Sequence, residues 1–135
     1  QAGWVNDMMP HFIAEEIVRH VRRNVPEGEL RIGVVGVTYK KDVPDLRESA
    51  ALKVIRLLGE QGVRCLVYDP VYRGELPDGL ARFQPEPEEL ARLDAVAIMV
   101  DHSAAPWERI VRHSRCVIDV RNATAGIEAP NIIRL

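Results

Sequence analysis

Hydrophobic positions follow two different rhythms along this chain. Between residues 7 and 24 they recur at helical spacing, with Ile13, Ile17 and Val21 on one face and Phe12 and Val18 widening the stripe. The spacing predicts a helix with Asn6 or Asp7 as its cap and Pro10 in its first turn, where the missing backbone donor costs nothing. A face apolar over that width needs cover, either from the domain body or from another subunit. Pro26-Glu27-Gly28 ends the pattern and reads as a joint, dividing the chain into residues 1–28 and a domain of residues 29–135.

From residue 30 short apolar runs alternate with amphipathic stretches, the signature of a parallel sheet flanked by helices. Strands are expected at 31–36, 64–68, 94–100 and 116–120, with a further short one at 131–134. Helices are expected at 49–61, where Ala51, Val54, Ile55 and Leu58 share a face and Gly62 stops the turn, and at 86–92 and 106–113. The Pro/Gly-rich stretch from Pro70 to Pro87 reads as a surface excursion carrying at most one short edge strand. The fold class is α/β: a Rossmann-like three-layer α/β/α sandwich with a mainly parallel sheet, preceded by an N-terminal helix.

Composition narrows the picture. A chain of 135 residues with 47% apolar content suits one domain with one buried core. Its 18 basic and 20 acidic residues are interspersed and leave a net charge of -2, so there is no basic stripe to track a phosphate backbone, and nucleic acid is not an expected partner. No apolar run approaches the roughly 20 residues that span a bilayer, and no secretory signal pattern opens the sequence, so a cytoplasmic protein with no membrane partner is expected. Cys65 and Cys116 each sit in an apolar run and read as small hydrophobes, not as a disulfide or a nucleophile. The chain opens at Gln1 and enters a helical pattern almost at once, which suggests a piece of something longer.

In an open parallel sheet, ligands collect outside the carboxyl ends of the strands. After the first expected strand runs a charged connection from Val37 to Ser49, 13 residues where about two to six would ordinarily suffice. The 94–100 strand is followed by Asp101, His102 and Ser103, and the 116–120 strand by Arg121, Asn122 and Thr124. Lys40 and Arg121 form a reasonable pair of cations for an anionic ligand, and equally are charges that solvate loops. His102 can be read as a base, although a loop-ordering or capping role for Asp101, His102 and Ser103 is the stronger reading, since no nucleophile shares the loop. Asp69 at the end of the second strand sits where such folds often bind a ribose hydroxyl, but Asp69-Pro70 is also a turn starter and is read as one. Tyr39 and Trp107 are either ring-stacking or core aromatics. His11, His20 and His113 lack metal-ligand spacing, so no metal is expected. The first strand ends in Gly33-Val34-Val35-Gly36 without the G-x-G-x-x-G turn, so this is not expected to be a main dinucleotide site.

The run Gly36-Val37-Thr38-Tyr39-Lys40-Lys41-Asp42-Val43-Pro44-Asp45-Leu46-Arg47-Glu48-Ser49 resembles the segment that opens the C-terminal, UDP-binding domain of the UDP-glucose/GDP-mannose dehydrogenase family. Val67-Tyr68-Asp69-Pro70, Asp101-His102 and Val117-Ile118-Asp119-Val120-Arg121-Asn122 fall in the family's order, and Asn6 through Pro10 looks like the end of the long helix that joins its two domains. The resemblance implies an NAD-dependent parent enzyme that oxidises a sugar C6 alcohol to a carboxylate in two hydride transfers, through a thiohemiacetal on a catalytic cysteine. It implies that Tyr39, Lys40 and Arg121 contact the UDP-sugar, that Arg47 reaches NAD held by an N-terminal domain, and that the N-terminal helix makes a homodimer. The catalytic cysteine and the lysine and asparagine that assist it have no counterpart here, which implies that this chain contains no catalytic residue and alone turns nothing over. Pro44, Ala50 and Val120 depart from the residues more usual in the family. The Val-Thr-Tyr-Lys variant and the Val120-Arg121-Asn122-Ala123-Thr124 ending look most like the bacterial UDP-N-acetylglucosamine and UDP-N-acetylmannosamine 6-dehydrogenases, with UDP-glucose next. A GDP-mannose dehydrogenase domain and a non-catalytic ligand-sensing or dimerisation module are the alternatives.

Overall fold

A computed structural model describes the backbone of residues 2–135 and the side chains from Met9 onward. The elements are α1 (Ala2–Arg22), β1 (Arg31–Val35), α2 (Ala50–Glu60), β2 (Arg64–Tyr68), β3 (Ala81–Arg82), α3 (Pro87–Ala91), β4 (Ala95–Ile98), α4 (Trp107–His113), β5 (Val117–Asp119) and β6 (Ile132–Arg134). The six strands form one sheet in the order β3-β2-β1-β4-β5-β6, and every pairing is parallel. All carboxyl ends therefore open on one edge, with the chain reversing direction across the sheet between β1 and β4.

Period-2 alternation sends neighbouring residues of each strand to opposite faces. On one face Ile32 and Val34 of β1, Val67 of β2 and Ile118 of β5 pack with Ile13, Ile17 and Val21 of α1 and Val54 and Leu58 of α2. On the other, Val35, Val96, Ile98 and Val117 pack with Phe83, Leu90, Leu93, Ile110 and Val111, which brings in α3 and α4. Full burial of such a side chain contributes about 1.5–3 kcal/mol, so the sheet is stabilised from both sides. Ser49 starts α2 as its cap, accepting from the Leu52 amide at 3.1 Å while its hydroxyl donates to the Val37 carbonyl at 2.7 Å.

The start of α1 differs from the expectation. The helix begins at Ala2, so Asn6 and Asp7 lie inside it and Pro10 is in its middle, buried. A proline there removes one hydrogen bond, the one to the carbonyl four residues earlier, and its packing against the body offsets that loss. The domain body covers Ile13, Ala14, Ile17 and Val21, and leaves Phe12 at 47% exposure. The excursion after β2 holds the one short edge strand anticipated there, β3, beside a single helical turn at Pro77–Gly79.

Gly36 ends β1 at φ +91°, and a Cβ added there would lie 2.5 Å from the Cβ and 2.8 Å from the backbone nitrogen of Val100. The glycine lets the loop after β1 leave the sheet beside β4, a use quite different from phosphate approach. Gly36→Ala is expected to cost about 2–3 kcal/mol, combining left-handed strain of about 1–2 kcal/mol with displacement of Val100. Urea denaturation of the two proteins checks this, with the midpoint falling and the slope unchanged.

Candidate functional site

Three loops meet at the carboxyl edge: residues 37–49 after β1, the turn after β2, and residues 99–106 after β4. His102, fully buried, joins them. Its Nδ1 accepts the Asp42 amide at 3.0 Å, and its Nε2 lies 3.1 Å from Asp69 Oδ2 and 3.2 Å from Thr38 Oγ1. A backbone N–H can only donate, so Nδ1 must be the bare nitrogen and Nε2 carries the proton that Asp69 accepts. The imidazole is thus a neutral strut between loops. This bears out the loop-ordering reading of His102, and burial removes it from any role as a base toward a ligand. Ser103 provides the second tie, since its amide and hydroxyl donate to Asp42 Oδ1 and Oδ2 at 2.8 and 2.7 Å. Those two bonds, the hydroxyl's the larger, hold the Asp42 carboxyl below its ordinary range.

Asp69 also does more than start a turn. Oδ1 accepts from the amides of Val71 and Tyr72, as a turn starter should, while Oδ2 accepts from the Val37 amide at 2.8 Å as well as from His102. Burial alone would raise its pKa, but the His102 bond and the three amides together outweigh burial and lower it. With its acceptor sites occupied this way, Asp69 braces the β1 loop and is not aimed at a ribose.

Within that brace the β1 loop closes on itself. The Tyr39 amide donates to the Asp45 carbonyl at 2.7 Å, and the Lys40 carbonyl accepts from the Thr38 hydroxyl at 2.9 Å and the Val43 amide at 3.3 Å. Asp42 and Glu48 hold positive φ. The side chains of Tyr39, 46% exposed, and of Lys40 face solvent on this ordered turn. Arg47, on the same loop, points outward and forks onto Asp45 at 2.8 Å. Arg47 holds the half-buried Asp45 carboxyl down to about 2.

The β5 loop is built on the same plan. Asp119, buried at the strand end, accepts the amides of Arg121 and Ala123 on Oδ1 and the amide and hydroxyl of Thr124 on Oδ2. Burial would raise its pKa, but Thr124 and the amides together lower it. Asn122 takes the left-handed turn at φ 62°, and Arg121 stands exposed. From β6, Arg134 donates to the Thr124 carbonyl at 2.9 Å, the Thr124 hydroxyl at 3.1 Å and the Ile127 carbonyl at 3.0 Å. Sequence reasoning gave Asp119 and Arg134 no role of their own. An aspartate at a strand end with a hydroxyl five residues on was the signal for the first, and nothing local marks the second.

Lys40 and Arg121 thus stand on loops of the same edge, with β4 between their strands. Trp107 is half buried and packs with Ala123 and Ile127 on the second core, in an open groove of about 450 Å³ beside the β5 loop. Burial pushes the Cys65 thiol up to about 11 and raises that of Cys116, the opposite of what a nucleophile needs. Among the described residues no three His, Cys, Asp or Glu side chains are placed to hold a metal.

The profile of the UDP-glucose/GDP-mannose dehydrogenase family, UDP binding domain, matches residues 33–126, from the middle of β1 through the β5 loop. The chain belongs to this family. It is 31% identical over 123 residues to the NDP-N-acetyl-D-galactosaminuronic acid dehydrogenase of Ralstonia solanacearum, an alignment covering 87% of this chain and 28% of that protein. It is also 31% identical over 125 residues to the UDP-N-acetyl-D-mannosamine dehydrogenase of Pyrococcus horikoshii, again covering 87% and 28%. The solved structure of the Pyrococcus horikoshii UDP-D-ManNAc dehydrogenase superposes with a TM-score of 0.69 at 25% identity, over 93% of this chain and 30% of that one. The chain spans less than a third of these relatives. The family expected from the β1 loop is therefore the family found, and its UDP-binding domain is the part represented.

Proposed function

We propose that this chain is the nucleotide-sugar-binding part of an NAD-dependent 6-dehydrogenase, with Tyr39, Lys40 and Arg121 contacting the UDP-sugar. The observation that carries this reading is the pair of braced loops: two exposed cations stand on turns whose backbones are fixed by buried carboxylates, so little freedom is lost when an anion binds. Lys40 acts as a point charge and Arg121 as a fork for phosphate or ribose oxygens. The parent reaction takes a sugar C6 alcohol and water to a carboxylate, with two hydrides passing to two molecules of NAD. NAD supplies the hydride acceptor when bound. This chain's contribution toward it is Arg47, whose exposed guanidinium can turn from Asp45 to a phosphate. The exit from β1 is packed against Val100 and offers no dinucleotide turn, which fits NAD being held mainly by an N-terminal domain of the same parent chain.

The substrate is a UDP-N-acetylhexosamine, in keeping with the Pyrococcus horikoshii relative's being a UDP-N-acetyl-D-mannosamine dehydrogenase, with UDP-glucose the next choice. The parent is cytoplasmic and a homodimer, with α1, where Phe12 stays exposed, as the joining surface and residues 1–28 as the linker to the rest. No described helix is long and apolar enough to cross a membrane.

Titration of this chain with UDP, GDP and NAD, followed by amide chemical shifts, tests the site. UDP-selective shifts at Tyr39, Lys40 and Arg121 that disappear in Lys40→Ala are expected. Preference for GDP would move the chain to the mannose branch, and shifts that ignore the Lys40 substitution would sink the site assignment.

A further inference from the structure

A second cleft, of about 290 Å³, opens at the carboxyl ends of β2 and β3, on the far side of β1 from Arg121. Tyr68, Asp69, Arg73, Arg82, Phe83 and Gln84 line it. One of its two cations is held differently from an ordinary surface arginine. The Arg82 guanidinium donates to the carbonyls of Tyr72 at 3.3 Å and Gly74 at 2.5 Å, which fixes its plane and leaves its other N–H groups free. Arg73 sits between those two anchor points. Its turn is tied at one end by Asp69, which accepts the Val71 and Tyr72 amides, and at the other by the Tyr72 hydroxyl, which donates to the Glu75 carbonyl at 3.0 Å.

The rest of the lining adds a phenol and an amide as donors, set against one carboxylate. Asp69 is the acid in the wall, and its oxygens are taken up by three amides and His102. Burial, and then the charge of Asp69, raise the Tyr68 phenol above its ordinary value, so the hydroxyl stays protonated as a donor. Gln84 adds an amide. Beneath them Tyr68 and Phe83 pack at a ring-centroid distance of 6.1 Å and give an aromatic floor. Two arginines, a phenol and an amide around a space too small for a whole nucleotide-sugar suit one phosphate with a small group attached.

We propose that this cleft binds a phosphate or phosphate monoester, with Arg73 and Arg82 as its ligands. The site is independent of the nucleotide reading, since neither Lys40 nor Arg121 takes part. Arginine side-chain and amide signals of the chain would be followed during titration with glucose 1-phosphate, with inorganic phosphate, and with chloride at matched ionic strength. Saturable shifts at Arg73, Arg82 and Gln84 are expected with both phosphates and not with chloride. Tighter binding of glucose 1-phosphate would identify an ester as the ligand, and equal or tighter binding of inorganic phosphate would identify the free anion. Arg73→Ala, an exposed position that leaves the fold intact, is expected to weaken binding about tenfold or more, Arg82→Gln similarly, and Lys40→Ala not at all. Shifts reproduced by chloride, or lost in Lys40→Ala while surviving in Arg73→Ala, would overturn the assignment.

Discussion

His102→Leu is expected to lower the folding free energy by about 3–4 kcal/mol and to weaken UDP binding by about tenfold or more. Leucine can fill much of the volume, but it leaves the Asp42 amide without its acceptor and Asp69 without the Nε2 proton. The second loss falls on a buried carboxylate, where a missing donor costs most. The side-chain ties from the loop carrying Lys40 to the β4 loop would then be those between Asp42 and Ser103. His102→Gln separates packing from bonding, because its NH2 can still donate to Asp69 while its carbonyl oxygen no longer stands at the Nδ1 position that the Asp42 amide uses. It is expected to fall between wild type and His102→Leu in thermal stability and in UDP affinity alike. UDP affinity unchanged in His102→Leu would show that the strut matters to the fold and not to the site.

Asp119→Ala is expected to cost about 4 kcal/mol at neutral pH, since four donors lose a charged acceptor and those of Thr124 are buried with it. The pH dependence gives a sharper signature. The folded pKa of Asp119 is depressed, so its contribution is fully present above the unfolded carboxylate range near about 4 and is lost as pH falls through the lower folded value. Wild type should therefore lose stability on acidification below about pH 4 more steeply than Asp119→Ala, and the two curves should run parallel above about pH 5. Chemical denaturation at several pH values measures both. Curves that stay parallel throughout would mean that Asp119 titrates alike folded and unfolded. Asp69 remains in both proteins and sets a common background.

Apart from the start of α1 and the two-residue, exposed β3, the strand and helix positions were legible because each is an apolar run long enough to reveal its period, and their boundaries moved by only a residue or two. Strand β1 stops early because Gly36 turns left-handed, a property the residue permits but does not announce. The start of α1 was misread because Asn6, Asp7 and Pro10 imitate a helix beginning, while the burial that lets Pro10 sit mid-helix comes from the folded body. At the site, the exposed residues could be found from their place after each strand. The loop-ordering role of His102 and Ser103 could be read as well, but not their partners, because Asp69 and His102 are 33 residues apart and Asp42 and Ser103 are 61 apart, and only the strand order brings them together. Thr124 with Asp119 lies within one loop, and a closer look at its spacing could have found it.

The all-parallel strand order also constrains how quickly this chain can fold. Every neighbour of a parallel strand must be reached by a crossover, so no hairpin is available as a local start. The central pair is β1 with β4, where Ile32 meets Ala95 after two intervening strands have been made. Loop closure over such separations is slow. During synthesis the middle of the sheet stays open until β4 has emerged, leaving the apolar edge of β1 dependent on β2 and the α1–α2 layer for cover. Refolding in the range of milliseconds to seconds, slower than a helical bundle of this length, is the kinetic counterpart of a site assembled from distant strand ends.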